Sequence, residues 1–275
     1  MTTLTVSEKA LKFRALHDSG EIFVIPNPWD CGSARALAAQ GFQALATSSF
    51  ASALAAGSQD GGLSREEAIA HARSIVEACD LPVSADLEAG FGATPEEVAD
   101  TFRLAVGAGL AGASIEDYTG DALRPFYELP EAVDRLTAAV EVARGQAYPF
   151  LITARSENFL RGNPDIHNTI ARLQAYEAAG ADVLFAPGLP TLDAVKAVCS
   201  SVSKPVNFMI GFPDKSFSIA DLAAAGVRRI SLGASLYKAA IAGFMSAVSE
   251  IRTNGTFAFT GSLPSMPALH GFFGR

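Results

Sequence analysis

The chain has 275 residues, of which 49% are hydrophobic and 18% charged, with 29 acidic and 21 basic side chains and a formal net charge of −8. This composition excludes a disordered chain, the apolar runs are too short to span a membrane, and the N-terminus lacks the apolar core of a signal peptide. The acidic balance argues against nucleic acid or an anionic membrane as a partner, and three cysteines without CxxC spacing predict no disulfide framework, so we expect a cytoplasmic protein.

In chain order, eight short apolar or β-branched runs alternate with helix-like stretches. The runs cover residues 22–26, 44–48, 82–86, 112–116, 149–154, 182–186, 205–208 and 228–231. Capping hydroxyls, early prolines or first-turn acids predict helix starts at Ser64, Thr94, Thr191 and Ser216. Continuous apolar strands that alternate with helices indicate a parallel sheet covered on both faces. Eight such units in about 250 residues predict a single (β/α)8 TIM barrel over residues 1–254.

An open, doubly wound sheet is the alternative fold. Such sheets often carry G-x-G-x-x-G after the first strand. Here the first strand leads into Pro26-Asn-Pro-Trp29 instead, which favours the barrel.

Polar residues follow four consecutive predicted strands. The strand ends carry Thr47-Ser-Ser49, Asp86-Leu-Glu88, Glu116-Asp117, and Arg155 with Glu157. Because the carboxyl ends of barrel strands meet at one rim, we expect these side chains to converge. Crowded carboxylates repel each other unless a cation lies among them, and Mg²⁺ typically uses one or two carboxylates plus water. We therefore predict a divalent-cation site in which Arg155 binds a substrate carboxylate or phosphonate. A ring of structural salt bridges at the barrel mouth is the alternative.

The same residues carry a family resemblance. The stretch Ser84-Ala-Asp-Leu-Glu-Ala-Gly-Phe-Gly92, then Ile115-Glu-Asp117 and Ile152-Thr-Ala-Arg155, resembles the isocitrate lyase and phosphoenolpyruvate mutase superfamily in order and spacing. The resemblance runs over residues 23–235. It implies a (β/α)8 barrel whose last helix is usually exchanged between subunits. It also implies a magnesium-dependent site for a 2-oxo acid or its enolate, with Mn²⁺ as the alternative ion.

The resemblance also implies roles for individual residues. Asp86 is the expected principal metal ligand, while Glu88 and Glu116 hold metal-bound waters; in many relatives the position of Glu88 is an aspartate. Asp60 borders the metal pocket and joins Arg155 in the expected catalytic set. The expected substrate-binding residues are Trp29, Ser48, Ser49, Arg155 and Asn207.

The loop after the fourth strand departs from the isocitrate lyases. Those enzymes carry a cysteine that acts as proton donor there, followed by glycine and histidine, whereas residues 118–127 contain neither cysteine nor histidine. Their glutamate after strand six and their asparagine-x-threonine on strand seven are also missing, as is the histidine that phosphonomutases place after strand six. A pocket for a dicarboxylate leaving group is therefore not evident.

The retained and missing residues together predict a reaction class. We expect a magnesium-dependent enzyme that cleaves a C–C or P–C bond beta to a 2-oxo carboxylate through an enolate, as in oxaloacetate decarboxylation or phosphonopyruvate hydrolysis. Residues 118–129 would gate the site. The candidates to contact the leaving group there are Arg124 first, then Thr119, Asp121 and Tyr127. The alternatives are a phosphoenolpyruvate phosphonomutase, an isocitrate-type or methylisocitrate-type lyase, and a non-catalytic barrel that binds an oxo acid.

Residues 255–275 break the repeating pattern. They contain Phe257, Phe259, Phe272 and Phe273 among glycines and prolines. Exposed aromatic residues usually mark a contact surface. We predict that this tail and the preceding helix, residues 236–251, pack on a neighbouring subunit in a homodimer or homotetramer.

Overall fold

Eight parallel strands form the centre of the fold in the computed structural model, which describes residues 4–212 and 217–273. The strands are β1 (Phe23–Ile25), β2 (Leu45–Ala46), β3 (Val83–Asp86), β4 (Gly112–Glu116), β5 (Leu151–Arg155), β6 (Val183–Phe185), β7 (Val206–Met209) and β8 (Arg229–Ser231). Each overlaps one of the eight predicted runs. They pair in the order β1-β8-β7-β6-β5-β4-β3-β2. The Ala46 N–H also donates to the carbonyl of Pro26 at 3.1 Å, which links β2 to the end of β1. The predicted (β/α)8 barrel is confirmed.

Helices cover the outside of this barrel and one of its ends. They are α1 (Val6–Asp18), α2 (Cys31–Ala39), α3 (Ser49–Ala55), α4 (Arg65–Ala78), α5 (Pro95–Gly107), α6 (Leu129–Arg144), α7 (Ile166–Ala178), α8 (Leu192–Ser201), α9 (Ile219–Ala224), α10 (Ser235–Asn254) and α11 (Met266–Phe273). Helix α1 precedes the first strand, and its Phe13 packs in a small cluster with Ala44, Ala111 and Leu151, at the amino ends of the strands. The first helix therefore closes the amino end of the barrel.

The helix boundaries follow the local signals of the sequence. Ser64 and Thr94 form capping boxes at the starts of α4 and α5, and Thr191 caps α8. Helix α9 starts after Ser218, while the predicted start at Ser216 lies outside the described residues. After α9 the chain turns at Gly226, with φ of 99°, and a Cβ there would lie 2.9 Å from the Cβ of Cys199. Glycine thus fits both the backbone conformation and the space at this turn.

The main hydrophobic core lies between the strands and the helices. Val98 and Phe102 of α5 and Leu136 of α6 pack against Ile115 and Ile152 of the sheet in one continuous cluster. Complete burial of such a side chain contributes about 1.5–3 kcal/mol. This outer core fixes the positions of the strands, so the strand ends form a defined rim.

Helix α10 leaves the barrel without burying any of its residues. Its side chains Ile241, Phe244, Met245 and Ile251 are exposed, and we call them the α10 apolar stripe. The helix ends at Gly255, in the left-handed conformation with φ of 64°, and α11 then packs against α2 of the same chain. Residues 274 and 275 of the predicted tail lie outside the described part of the chain. In the described ranges, no helix is long and apolar enough to cross a membrane.

Candidate active site

A cavity of about 710 Å³ lies at the carboxyl ends of the strands and extends between them. The last residues of β3, β4, β5, β7 and β8 line it. It brings together nine of the residues singled out in the sequence: Ser48, Ser49, Asp60, Asp86, Glu88, Glu116, Thr119, Arg155 and Asn207.

Asp86, at the end of β3, has a firmly oriented carboxylate. The backbone N–H and the hydroxyl of Ser49 both donate to Oδ2, at 3.0 and 2.8 Å, and the Ser114 hydroxyl donates to Oδ1 at 3.3 Å. The backbone N–H of Asp86 donates to Oγ1 of Thr47 at 3.0 Å. The Ser49 amide, expected to bind substrate, is thus engaged with Asp86 in this structure.

Glu88 and Asp60 add two carboxyl groups close to Asp86. Burial, followed by the charges of Asp86 and Asp60, raises the pKa of Glu88 to about 7. Burial also raises the pKa of Asp60, with the charge of Asp86 adding to the rise. Glu88 has a positive φ of 50°, which is uncommon outside glycine and costs backbone energy. Three acids held together at this energetic cost form a strongly electronegative pocket.

Arg155 balances part of this negative charge. Its Nε lies 3.3 Å from Oε2 of Glu116 and also contacts Oε1 of Glu157, which is completely buried. Burial raises the pKa of Glu116 well above its ordinary value, and Arg155 opposes that rise. The second oxygen of Glu157 accepts from Nε of Arg161 at 3.0 Å. The guanidinium also lies over the Phe185 ring at 5.1 Å, and neither Nη group donates a hydrogen bond to another residue in the described part of the chain.

Asp117 follows Glu116 directly but lies outside the cavity lining. Its carboxylate accepts hydrogen bonds from the Tyr176 hydroxyl at 2.7 Å, Arg172 Nη1 at 3.1 Å and the Glu157 N–H at 2.8 Å. Burial raises the pKa of Asp117, while the bond from Tyr176 and the others oppose the rise. Asp117 therefore ties β4 to α7 and to the segment that carries Glu157.

The remaining expected residues have individual positions. Ser48 caps α3, its hydroxyl accepting from the Ala51 N–H at 3.3 Å. Thr119 lies in the loop after β4 and donates to the Arg124 carbonyl. Asn207, on β7, donates to the Ser231 hydroxyl at 2.9 Å. All three line the cavity, so each can contact a ligand there.

Two expected residues lie apart from this group. The indole of Trp29 packs edge-on against Tyr237, with 5.6 Å between ring centroids. The guanidinium of Arg124 forms an ion pair with Glu131 and is 56% exposed. Neither side chain lines the cavity.

The cavity lining also includes three basic residues that the sequence analysis did not predict: Arg161, Arg229 and Lys238. Arg161 lies four residues after Glu157, a spacing that could have indicated their contact, and its guanidinium covers the Tyr118 ring at 3.7 Å. Lys238 lies in the first turn of α10, over the Phe50 ring at 5.2 Å. No acidic partner of Lys238 occurs within residues 4–212 and 217–273.

The carboxylates at the rim fit a cation site that is completed by water. In the described ranges, no three His, Cys, Asp or Glu side chains come close enough together to hold an ion by themselves. Magnesium usually binds one or two carboxylates and keeps several waters, so an oriented Asp86 with more distant Glu88 and Glu116 fits it. The raised pKa of Glu88 also fits, because a cation would relieve the repulsion that contributes to it.

Comparisons with known proteins agree with this architecture. A candidate lyase/mutase from Burkholderia cenocepacia J2315 has a solved structure with a TM-score of 0.96 and 46% identity, covering 98% of this chain and 97% of that one. A 2,3-dimethylmalate lyase structure, from the PEP mutase/isocitrate lyase superfamily, has a TM-score of 0.86 and 25% identity, covering 99% of this chain and 96% of that one. The protein Rv1998c of Mycobacterium tuberculosis (strain ATCC 25618 / H37Rv) is 33% identical over 234 residues, covering 84% of this chain and 85% of the relative.

The sequence over residues 13–252 matches the family of phosphoenolpyruvate phosphomutase. Relatives of this chain with a named activity include a 2-methylisocitrate lyase, a 2,3-dimethylmalate lyase and an oxaloacetate decarboxylase, which supports an enzyme of this class. The chain therefore belongs to the phosphoenolpyruvate phosphomutase family, within the superfamily that also includes the isocitrate lyases.

Proposed function

We propose that the protein is a Mg²⁺-dependent enzyme that cleaves a C–C or P–C bond beta to a small 2-oxo carboxylate through an enolate. Oxaloacetate decarboxylation is such a C–C cleavage, and phosphonopyruvate hydrolysis is such a P–C cleavage. The single observation that carries the proposal is the oriented carboxylate of Asp86, held by Ser49 and Ser114 among further acids. Mn²⁺ is the alternative ion.

The residues at the rim divide the work of binding. Asp86 would hold the divalent cation, and Glu88 and Glu116 would bind its waters. When bound, the cation supplies positive charge to the enolate oxygen as it forms. The two free Nη groups of Arg155 form a fork for the substrate carboxylate, and the Ser48 hydroxyl binds the same end.

The leaving-group end of the substrate faces the loop after β4 and the start of α10. In this proposal Thr119 lies at the leaving-group end of the cavity. The Lys238 ammonium lies at the same end, over the Phe50 ring. A departing carboxylate or phosphonate is anionic, so Lys238 replaces Arg124 as the basic residue that recognises it. Arg124 is already paired with Glu131.

Pyruvate release tests the proposed reaction. The purified protein is assayed with oxaloacetate, phosphonopyruvate and methylisocitrate, each with Mg²⁺ and with EDTA. We expect Mg²⁺-dependent pyruvate formation from oxaloacetate or phosphonopyruvate. Turnover of methylisocitrate alone contradicts the proposal. Tight oxalate binding without turnover of any substrate, and unchanged in Asp86→Ala, instead supports a non-catalytic binding barrel.

The proposal extends to the assembly. Helix α10 buries none of its residues, and its apolar stripe has no covering partner among the described residues. Unpaired apolar surface of this extent usually marks a protein contact. We propose that α10, together with the surface of residues 255–275 that the contact of α11 with α2 leaves exposed, packs on a second copy of the chain in a homodimer or homotetramer, as the exchanged helix of the superfamily does.

A further inference from the structure

The barrel interior one layer below the rim is lined by small and polar side chains. Such barrels are usually filled there by bulky branched residues. In this chain Ala46, Ser84, Ser114, Thr153 and Asn207 line the cavity instead. Three of these residues each lie two positions before a residue of the rim on the same strand, so they face inward as the rim residue does, but nearer the amino ends of the strands. They are Ser84 before Asp86, Ser114 before Glu116, and Thr153 before Arg155. The cavity therefore continues below the acidic rim.

Arg229, the first residue of β8, lies on the floor of this cavity and is only 5% exposed. Its Nε donates to Oδ1 of Asn207 at 2.8 Å and its Nη2 to Oγ1 of Thr153 at 3.1 Å. Its Nη1 lies 3.4 Å from Nε2 of His17. These partners are all uncharged groups, and in the described part of the chain no carboxylate contacts the guanidinium. Arg155 and Arg161, by contrast, both contact Glu157.

The floor of the cavity carries a net positive charge at neutral pH. Burial lowers the pKa of Arg229 to about 9, which still leaves it protonated. Burial, and then the charge of Arg229, lowers the pKa of His17 to about 3, so that ring is neutral. Buried charges are normally paired, because an unpaired charge in a desolvated site is strongly unfavourable. The guanidinium thus lacks the counter-charge that its burial calls for.

Several hydroxyl and guanidinium hydrogens around Arg229 are free to donate hydrogen bonds to an anion. The hydroxyls of Thr153 and Ser231 accept hydrogen bonds from Arg229 and Asn207. Neither hydroxyl hydrogen, nor that of Ser84, has an acceptor among residues 4–212 and 217–273. Each Nη of Arg229 also has a second hydrogen without a described acceptor. The exposed groups of this floor are hydrogen-bond donors around one positive charge.

We propose that Arg229, Thr153 and Ser231 form an anion site on the cavity floor, separate from the cation site at the rim, which binds one small monovalent anion. The anion is either a free halide or, as an alternative to the Arg155 site of the proposed function, a carboxylate group of the substrate. Its charge compensates Arg229, and the hydroxyls donate to it. At the rim Arg155 and Arg161 contact Glu157, whereas no carboxylate among the described residues contacts Arg229, so an anion on the floor meets a positive charge without a competing acid.

Bromide gives a direct test in crystals of the full-length protein. A soak in sodium bromide, with data collected at the bromine absorption edge, is expected to show an anomalous peak within about 3.5 Å of the Arg229 guanidinium. A second soak adds saturating pyruvate to the bromide. Retention of the bromide peak identifies the site as one for a free halide, whereas its replacement by a carboxylate identifies it as a substrate subsite.

Thermal unfolding gives the matching test in solution. Sodium gluconate is replaced by sodium chloride at constant ionic strength, and the Tm of the wild type is expected to rise by about 2–4 °C. The control Arg228→Met, which removes the neighbouring arginine that does not line the cavity, keeps this rise. Arg229→Met loses it.

Two milder substitutions allow the chloride response to be tested even if Arg229→Met does not fold. If Arg229→Met does not fold, Arg229→Lys and Thr153→Val replace it, and both are expected to reduce the chloride response. Bromide density absent from the floor in wild-type crystals, with equal chloride responses in wild type and Arg229→Lys, overturns the proposal and leaves the floor occupied by water.

Discussion

Ser49 holds Asp86 with two hydrogen bonds to the same carboxylate oxygen, from its backbone N–H at 3.0 Å and from its hydroxyl at 2.8 Å. The Ser49 N–H is also one of the groups expected to bind the substrate carboxylate. One N–H cannot fully serve two carboxylates at once. Binding of a cation by Asp86 would weaken its demand for these donors, so occupancy of the cation site and the substrate site should be coupled.

Oxalate binding should therefore depend on the divalent cation. We expect isothermal titration calorimetry to show oxalate affinity at least tenfold higher with Mg²⁺ than with EDTA, a coupling in the usual range of about 1–3 kcal/mol. Ser49→Ala removes the hydroxyl but keeps the N–H, so Asp86 without a cation depends more on that N–H, and the difference between the two conditions should increase. Equal oxalate affinities with Mg²⁺ and EDTA in the wild type would contradict the coupling.

Asp86→Asn should abolish function without unfolding the protein. Loss of the principal ligand is expected to lower Mg²⁺ affinity and pyruvate formation more than 100-fold, in line with about 3 kcal/mol or more of lost interaction. Stability should be retained, since the substitution also relieves repulsion with Glu88. Mg²⁺ titration and urea unfolding measure the two effects.

Asp117→Asn is the matched comparison for this variant. Asp117 is buried and accepts from Arg172 and Tyr176, and removal of one partner from a buried pair costs about 3–5 kcal/mol. We expect a large loss in the free energy of unfolding, with Mg²⁺ affinity of the folded protein close to wild type. If Asp117→Asn instead lost Mg²⁺ affinity and Asp86→Asn lost stability, Asp117 would be the metal ligand and Asp86 the structural residue.

Lys238→Met should impair recognition of the leaving group. The Lys238 ammonium lines the cavity, whereas Arg124 is paired with Glu131 outside its lining. We expect kcat/KM for the turned-over substrate to fall about 10–100-fold, corresponding to about 1.4–2.8 kcal/mol, while oxalate affinity changes little. Arg124→Met serves as the control and should stay near wild type. A larger fall of kcat/KM in Arg124→Met than in Lys238→Met would show that Arg124 recognises the leaving group, as the sequence suggested.

His17 should make the protein less stable as the pH falls. Its pKa is about 3 in the folded protein against an ordinary value of 6.5, so below pH 6.5 the unfolded chain binds a proton that the folded one does not. This contribution to stability is complete above pH 6.5 and falls by at most about 1.4 kcal/mol per pH unit down to pH 3. Urea unfolding of His17→Gln between pH 7 and 4 should give a shallower slope than wild type. His167→Gln, at an exposed histidine, should leave the slope unchanged.

The sequence predicted the barrel better than it predicted the electrostatics of the cavity. Strand runs and caps such as Thr94 are local signals, and the repeated strand–helix unit determines the topology once eight are counted. Most of the rim acids follow from the same logic, because Asp86 and Glu116 end strands and Glu88 lies two residues after β3. The positions of Arg229 and Lys238 cannot be predicted in this way. The local sequence around a basic residue in a strand or in the first turn of a helix does not show which residues its side chain will contact. Only the closed ring shows that Arg229 of β8 reaches Thr153 of β5.

The α10 apolar stripe should control the oligomeric state. Phe244 and Met245 are 61% and 54% exposed, and charged side chains at these positions cannot be buried against a second subunit without a large desolvation cost. We expect Phe244→Glu with Met245→Glu to convert a dimer or tetramer into a monomer of 28.6 kDa in light scattering. Ser246→Glu lies on the opposite side of the helix and is the control for added charge. A wild-type protein that is already a monomer at micromolar concentration would refute the proposed assembly, whatever the variants do.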